Sequence, residues 1–467
     1  MRRDALPRET RDTGVAEMRA RIRESVNAVA RDSPARLALM VFAGIILMLT
    51  GLLCLPAATS SGTSAGFVDA LFTATSAVCV TGLTVVDTAT FWSPLGQFLI
   101  SLGLIVGGLG VMTLASILGM AVSRHVGLTQ RMLTASENQS SLGEVYTLLS
   151  TVVVVSLSAQ GILFVSLLPF FLSGGNALVR SLWDAYFMAV SIFNNGGFVV
   201  MPEGMAPYVG SPALSIPIIV GTVVGALGFP VILDIWRHRR HPARWSVTTK
   251  ITLVTYVTLF LLGFLAIVLV EWDNANTLGT LNIADRVNAA AVLSSSARST
   301  GLTGVDISGM TPSGQFIIDS LMFIGGGSAS TAGGIKVTTL GVMVLAVRAE
   351  ARGDRDTEAF GKRLPPQVLR LAIAVALAGA LIVGLGIIAL LIITGLPLSE
   401  VMLEVISAFA TCGFSTGITG SLPIAAQLLL VLLMFLGRTG TMTIAAALSL
   451  RERRTQIRFP EERPVIG

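Results

Sequence analysis

The sequence predicts an all-α integral membrane protein built from four covalently linked repeats, and three observations predict it. Of its 467 residues 53% are hydrophobic and only 13% charged, with a mean hydropathy of +0.78, whereas soluble domains carry about 25% charged residues. Several apolar runs reach the roughly 18 to 20 residues that a helix needs to cross a bilayer, and they lack the polar–apolar alternation of a membrane β-barrel. Polar, glycine-containing hairpins interrupt these runs four times: V-T-G-L at 80–83, N-G-G-F at 195–198, S-T-G-L at 299–302 and T-C-G-F at 411–414. Their glycines, Gly82, Gly197, Gly301 and Gly413, lie 115, 104 and 112 residues apart, the self-similarity of a repeat architecture.

Residues 1–36 form a basic N-terminal segment in which Val15, Met18, Ile22, Val26 and Val29 recur at helical spacing among arginines. Such a helix lies on anionic lipid, packs on a partner or stays solvated in the cytosol. The first repeat, 37–123, reads as a span at 37–55, a short helix at 67–77 and a returning span at 94–122. The second, 146–236, has the corresponding pieces at 146–172, 182–193 and 212–236. The third, 251–348, has them at 251–270, 283–297 and 314–348; the fourth, 366–450, at 368–393, 398–410 and 423–450. A basic tail, 451–467, follows.

The middle helix of each repeat is too short to span, so its chain re-enters through the glycine hairpin. Two crossings per repeat return the chain to its starting side, giving eight spans and four re-entrant pore helices in pseudo-fourfold symmetry around one pore. Non-helical backbone at membrane depth is tolerated only where protein buries it or where it lines a water-filled path.

Charge supports this topology. Of the 32 Lys and Arg residues, 27 lie in the N-terminal segment, the linkers between repeats and the tail, while the opposite loops hold only Arg180, Arg286 and Arg298. The asymmetry assigns the basic side, with both termini, to the cytoplasm. It also accounts for the sequence pI of about 9.5 without nucleic acid, for which no basic folded face is visible. The charged first 35 residues lack the apolar core of a cleavable signal. Cys54, Cys79 and Cys412 are too few for a disulfide framework, and His125, His238 and His241 fall in cytoplasmic loops where they assemble no metal cluster.

An alkali cation leaving water needs oxygen ligands of similar strength, which inward-facing backbone carbonyls supply without charge. Glycine permits the positive φ that aims them, and four half-helices directing their partly negative C-termini at one cavity favour a cation there. On these four loops and their period the chain resembles the Trk/Ktr/HKT superfamily of potassium transporters, over residues 37–450. The resemblance implies a selectivity filter of Val80, Thr81 and Gly82; Asn195, Gly196 and Gly197; Ser299, Thr300 and Gly301; and Thr411, Cys412 and Gly413. Gly196 stands where similar proteins often place Ala.

A glycine-rich stretch inside the last span of the third repeat, 325–336, cannot sustain a lipid-facing helix. It contains Gly325, Gly326, Gly327, Ser328, Thr331, Gly333, Gly334 and Lys336. A phosphate-binding loop is a poor reading, because Val337 follows Lys336 and no strand precedes it. The resemblance implies an intramembrane gating loop here, acting with Arg438, a charge set at an expensive depth in the last span. Arg298 is expected to brace the third loop. Only the third repeat is expected to break its last helix, and only the fourth to bury an arginine.

The short N-terminal segment favours the Ktr-type membrane subunit over the Trk type. The resemblance then implies potassium uptake across a bacterial cytoplasmic membrane by a homodimer in the lipid bilayer, and is compatible with sodium dependence. Regulation would come from a cytosolic RCK-type nucleotide-binding ring (KtrA/TrkA-like), since no nucleotide motif occurs in this chain. Secondary active transport would need buried coupling carboxylates, yet Asp234 and Glu271 lie near span ends. No paired catalytic residues occupy the spans, so no enzyme is expected.

Overall fold

The computed structural model describes residues 34–126, 141–175 and 177–440. The amphipathic stretch at 14–30 and the tail at 451–467 lie outside them. In the repeat divisions expected from the sequence, the first holds α1 (Pro34–Leu53), α2 (Phe67–Val78) and α3 (Pro94–Val126). The second comprises α4 (Ser141–Ser173), α5 (Leu178–Asn194), α6 (Pro212–Leu227) and α7 (Phe229–Arg237). In the third, α8 (Val247–Glu271) and α9 (Ile283–Ser296) precede α10 (Pro312–Phe323) and α11 (Val337–Arg352). The fourth has α12 (Pro366–Thr394), α13 (Leu398–Ala410) and α14 (Ile424–Phe435), extended by a π-helical turn at Leu436–Gly440. A two-stranded hairpin, β1 (Glu358–Ala359) with β2 (Lys362–Arg363), sits in the linker before α12.

Local signals set the helix starts. Proline opens α3, α6, α10 and α12, where its missing N–H costs nothing. Side chains of Ser246, Asn282 and Thr311 accept from the backbone N–H of Thr249, Asp285 and Gly314, satisfying donors that have no intrahelical partner.

Among the described residues, four helical stretches are each long and apolar enough to cross a membrane: Pro94–Leu114, Leu149–Ser173, Val247–Glu271 and Pro366–Thr394. The bent pair of α6 and α7 makes a fifth if it is one span. Leu261, Leu265 and Leu269 on α8, and Leu377, Leu381, Leu385 and Ile388 on α12, point outward. Rows of exposed aliphatic side chains at helical spacing are a lipid-facing surface.

The inner packing is cyclic. The short helix of each repeat packs on the last helix of the repeat before it: α5 on α3, α9 on α6, α13 on α10, and α2 on α14. The last of these contacts joins an early helix of the described residues to a late one and closes the bundle. The short helices therefore stand inside, with their C-terminal halves buried.

Two last helices are broken rather than the single one expected. The third repeat interrupts its helix between Phe323 and Val337, and the second bends by 95° between α6 and α7. The second break is at Gly228, whose φ of 91° and ψ of 144° form a combination reserved for glycine. A break leaves the last carbonyls of α6 without helical partners. The 325–336 loop supplies them: Gly327 N–H donates to Ala226 O at 2.7 Å and Thr331 N–H to Gly225 O at 3.2 Å. In return Phe229 N–H donates to Ala329 O at 3.2 Å. The two breaks fit each other.

Candidate functional site: four glycine loops and the segment beneath them

At the C-terminal ends of α2, α5, α9 and α13 the four hairpins converge. Gly82, Gly197, Gly301 and Gly413 all have positive φ, at 90°, 70°, 65° and 98°. Each packs so closely on a neighbouring loop that a Cβ would come under 3.0 Å from a backbone carbonyl oxygen there. That oxygen belongs to Gly196 for Gly82, to Thr300 for Gly197, to Cys412 for Gly301 and to Thr81 for Gly413. In every case it is the carbonyl just before the neighbour's own glycine. The contacts run from the first loop to the second, third and fourth and back to the first, a closed ring of backbone.

Each hairpin is held from below by its helix. Thr81 N–H donates to Ser76 O at 2.7 Å, Gly196 N–H to Ser191 O at 2.7 Å, and Cys412 N–H to Ser407 O at 2.9 Å. The hydroxyls of Ser76 and Ser407 also accept from Gly82 N–H and Gly413 N–H, both at 3.1 Å, and that of Ser191 donates to Phe198 O at 2.8 Å. These serines were not singled out from the sequence. Their signal was a serine six residues before Gly82, Gly197 and Gly413.

The third loop departs from the pattern. Val80, Asn195 and Thr411, each two residues before a ring glycine, have φ of 56°, 59° and 48°, a region costly for β-branched residues at about 1–3 kcal/mol each. Ser299 does not share it. There the helical turn runs on, with Thr300 N–H and Gly301 N–H both donating to Ser296 O at 3.0 and 3.1 Å. Arg298 lies at this departure, 1% exposed, so a buried arginine is not confined to the fourth repeat. Its guanidinium stacks 3.7 Å from the Tyr256 ring centroid, donates to Tyr256 O at 2.7 Å and reaches Gly325 O at 3.4 Å. Cys412 Sγ lies 3.4 Å from the carbonyl oxygens of Ser296 and Ala297, tying the fourth loop to the end of α9.

The 325–336 segment lies under this ring. It is pinned at its base by Gly325 N–H donating to Ile335 O at 2.9 Å and Val337 N–H to Gly326 O at 3.0 Å. Lys336 Nζ turns back to Ala332 O at 2.6 Å, closing the loop on itself. Ala329 and Gly334 take positive φ, and Ser328 Oγ lies 2.9 Å from Thr338 Oγ1. Gly333 N–H donates to Ser299 Oγ at 3.3 Å, and Gly333 is packed so tightly on Ala410 and Thr411 that it has no room for a Cβ. Thr331 meets the second loop through Asn195 Nδ2 at 2.7 Å. Arg438, 2% exposed on the π turn, donates from a terminal guanidinium nitrogen to Thr331 O. The segment thus touches the second, third and fourth loops and the last helix together.

Buried carboxylates are more numerous than the sequence reading allowed. Glu271 accepts from Asn274, Thr277 and Thr311, and Glu404 from Ser415, Thr416 N–H and Thr419. Both are fully partnered braces of outer loops. Asp319 on α10 is 2% exposed, with neither oxygen hydrogen-bonded.

An apolar helical bundle closed around a ring of four backbone loops fits the class of α-helical membrane transport proteins. The chain belongs to the TrkH family of cation transport proteins, whose profile matches residues 45–454, and so to the Trk/Ktr group of transporters rather than to an enzyme family. It is 35% identical over 437 residues to the Ktr system potassium uptake protein B of Bacillus subtilis (strain 168), covering 92% of this chain and 96% of that protein. Identity to the protein of the same name from Vibrio alginolyticus is 34% over 443 residues, covering 94% and 96%. The potassium/sodium uptake protein NtpJ of Enterococcus hirae is 31% identical over 448 residues, covering 94% and 98%. In fold the chain is similar to the potassium transporter TrkH from Vibrio parahaemolyticus, with a TM-score of 0.68 at 18% identity, covering 88% of this chain and 83% of that one.

Proposed function

We propose that this chain mediates potassium uptake across a bacterial cytoplasmic membrane, through a selectivity filter formed by the backbone of the four glycine loops. The observation that carries the reading is the closed succession of carbonyls and glycines. Carbonyl oxygens of Thr81, Gly196, Thr300 and Cys412 sit at equivalent places in four loops, the neutral oxygen set that can replace the hydration shell of an alkali cation. The partly negative C-termini of α2, α5, α9 and α13 add to the attraction.

Four repeats contribute eight spans and four re-entrant helices to one path, with both termini in the cytosol. The 325–336 loop and Arg438 form the gate below the filter: the guanidinium places a positive charge under the cation path and holds the loop in it. The relatives named potassium uptake protein B support potassium as the cargo, and the relative named for potassium and sodium keeps sodium as a second cation to be assayed. A homodimer regulated by a cytosolic RCK-type nucleotide-binding ring fits the Ktr-type resemblance. Growth of a transport-deficient bacterium at low potassium tests the reading. Rescue by this chain with its cognate cytosolic subunit supports it, and failure of the correctly inserted pair to restore uptake refutes it.

Asp319 favours one second reading, cation-coupled transport, because an unpartnered carboxylate inside a membrane bundle is a candidate coupling site. Asp319→Asn separates the two: retained passive, downhill potassium flux in the variant supports the pore, and complete loss in folded protein supports coupling.

A further inference from the structure

Four side chains from two repeats form a continuous buried chain between the loop at 325–336 and the third filter loop. Asn195 Nδ2 donates to Thr331 Oγ1 at 2.7 Å, and Asn195 Oδ1 accepts from Thr300 Oγ1 at 2.6 Å. The Thr300 hydroxyl is also 3.0 Å from that of Thr222 on α6. All four residues are fully buried. Reversing the amide keeps both Asn195 contacts, because a hydroxyl can donate or accept.

Asn195 suits this place for two reasons. Its φ of 59° lies in the left-handed region that asparagine visits more readily than most residues. Its amide is also the one polar side-chain group in the second filter loop, and it makes its donor and acceptor contacts to other loops. Thr331 is equally committed. While accepting from Asn195, its hydroxyl lies 3.0 Å from Gly225 O and 3.2 Å from Phe193 O, and its own carbonyl accepts from Arg438.

We propose that Asn195 and Thr331 form a latch through which the position of the 325–336 loop sets the ion discrimination of the filter as well as its flux. This rests on the potassium-pore reading above. In the latched state Asn195 fixes the hydroxyl of Thr300, the residue whose carbonyl abuts Gly197 in the ring. Withdrawing the loop takes Thr331 away and leaves a buried amide without its partner, an unfavourable arrangement. Asn195 then turns to other partners and Thr300 loses its restraint. Coupling of this kind is reciprocal, so a cation that orders the Thr300 carbonyl also favours the latched loop. Asn195 and Thr331 are positioning residues and do not touch the ion through their side chains.

The experiment is rubidium and sodium flux into proteoliposomes holding the full-length chain, its Thr331→Val and Asn195→Gly variants, and the double variant. Valine keeps the shape of threonine without the hydroxyl, and glycine keeps the left-handed backbone. Each single variant is expected to raise rubidium flux and to lower rubidium-over-sodium discrimination several-fold, with the double variant no worse than the more affected single one. Thr331→Ser should recover the discrimination lost in Thr331→Val. Unchanged discrimination in both single variants, additive losses, or no recovery with serine would overturn the latch. Should one variant fail to fold, the other decides alone. If the wild-type chain itself carries no rubidium, the pore reading fails instead, so the two failures are distinguishable.

Discussion

Gly413, in the last repeat, lies directly against the carbonyl oxygen of Thr81 in the first, with no room between them for a side chain. That contact closes a ring whose other three members repeat the same geometry. A ring of backbone depends on every glycine, so Gly413→Ala should displace the Thr81 carbonyl and strain a backbone at φ 98°. Potassium-over-sodium discrimination in proteoliposome flux is expected to fall by about tenfold or more, the equivalent of about 1.4 kcal/mol. Discrimination retained in a folded Gly413→Ala protein would show that the fourth loop does not line the ion path.

Gly228 is the hinge on which the loop at 325–336 rests. A Cβ there would run into the carbonyl oxygen of Ser328, in a backbone conformation that only glycine adopts freely. Gly228→Ala should therefore push the loop from its seat and raise potassium flux several-fold in the absence of any cytosolic partner. The same flux assay on a variant lacking residues 326–333 sets the upper limit. Equal flux in Gly228→Ala and wild type would mean that the loop does not obstruct the path.

Arg298 joins the third hairpin to α8 and to the start of the loop. Lysine cannot reproduce a stacked guanidinium that reaches two carbonyls. Arg298→Lys should cost about 1.5–3 kcal/mol, the range for hydrogen bonds to charged groups, read as a lower thermal midpoint in detergent. A midpoint equal to that of wild type would show that the bracing adds nothing to stability.

Glu404 anchors the chain leaving the fourth hairpin by accepting from two hydroxyls and a backbone N–H. Glutamine would turn an amide donor toward one of those groups. Glu404→Gln should lower the thermal midpoint while leaving ion discrimination intact, because its partners, Ser415, Thr416 and Thr419, all lie beyond the ring. A changed discrimination at wild-type stability would instead place this carboxylate in the ion path.

The elements of the molecule that rest on local chemistry were legible in the sequence. The ring glycines announce themselves because a hairpin in an apolar run needs positive φ, and the fourth short helix, expected at 398–410, is α13 (Leu398–Ala410). The glycine-rich break at 325–336 was readable because so poor a helix former cannot face lipid. The break at Gly228 was not, since G-F-P inside a long apolar run passes for a continuous span. What completes it lies a hundred residues on, where Gly327 and Thr331 take up the carbonyls of Ala226 and Gly225. Asn195 read as a filter residue by position, and nothing local could reveal that its amide joins Thr331 to Thr300. Asp319 gives no such signal, because a single carboxylate in a helix looks solvated until the bundle packs around α10 and buries it.

If the four glycines frame a potassium-selective path, the decisive position is Gly197, which faces the Thr300 carbonyl. The measurement is the potassium-to-sodium permeability ratio of proteoliposomes containing the wild-type chain or Gly197→Ser. Strong potassium preference is expected in the wild type and a loss of about tenfold or more in the variant, with potassium flux still present. An unchanged ratio in a well-folded Gly197→Ser protein would contradict that expectation.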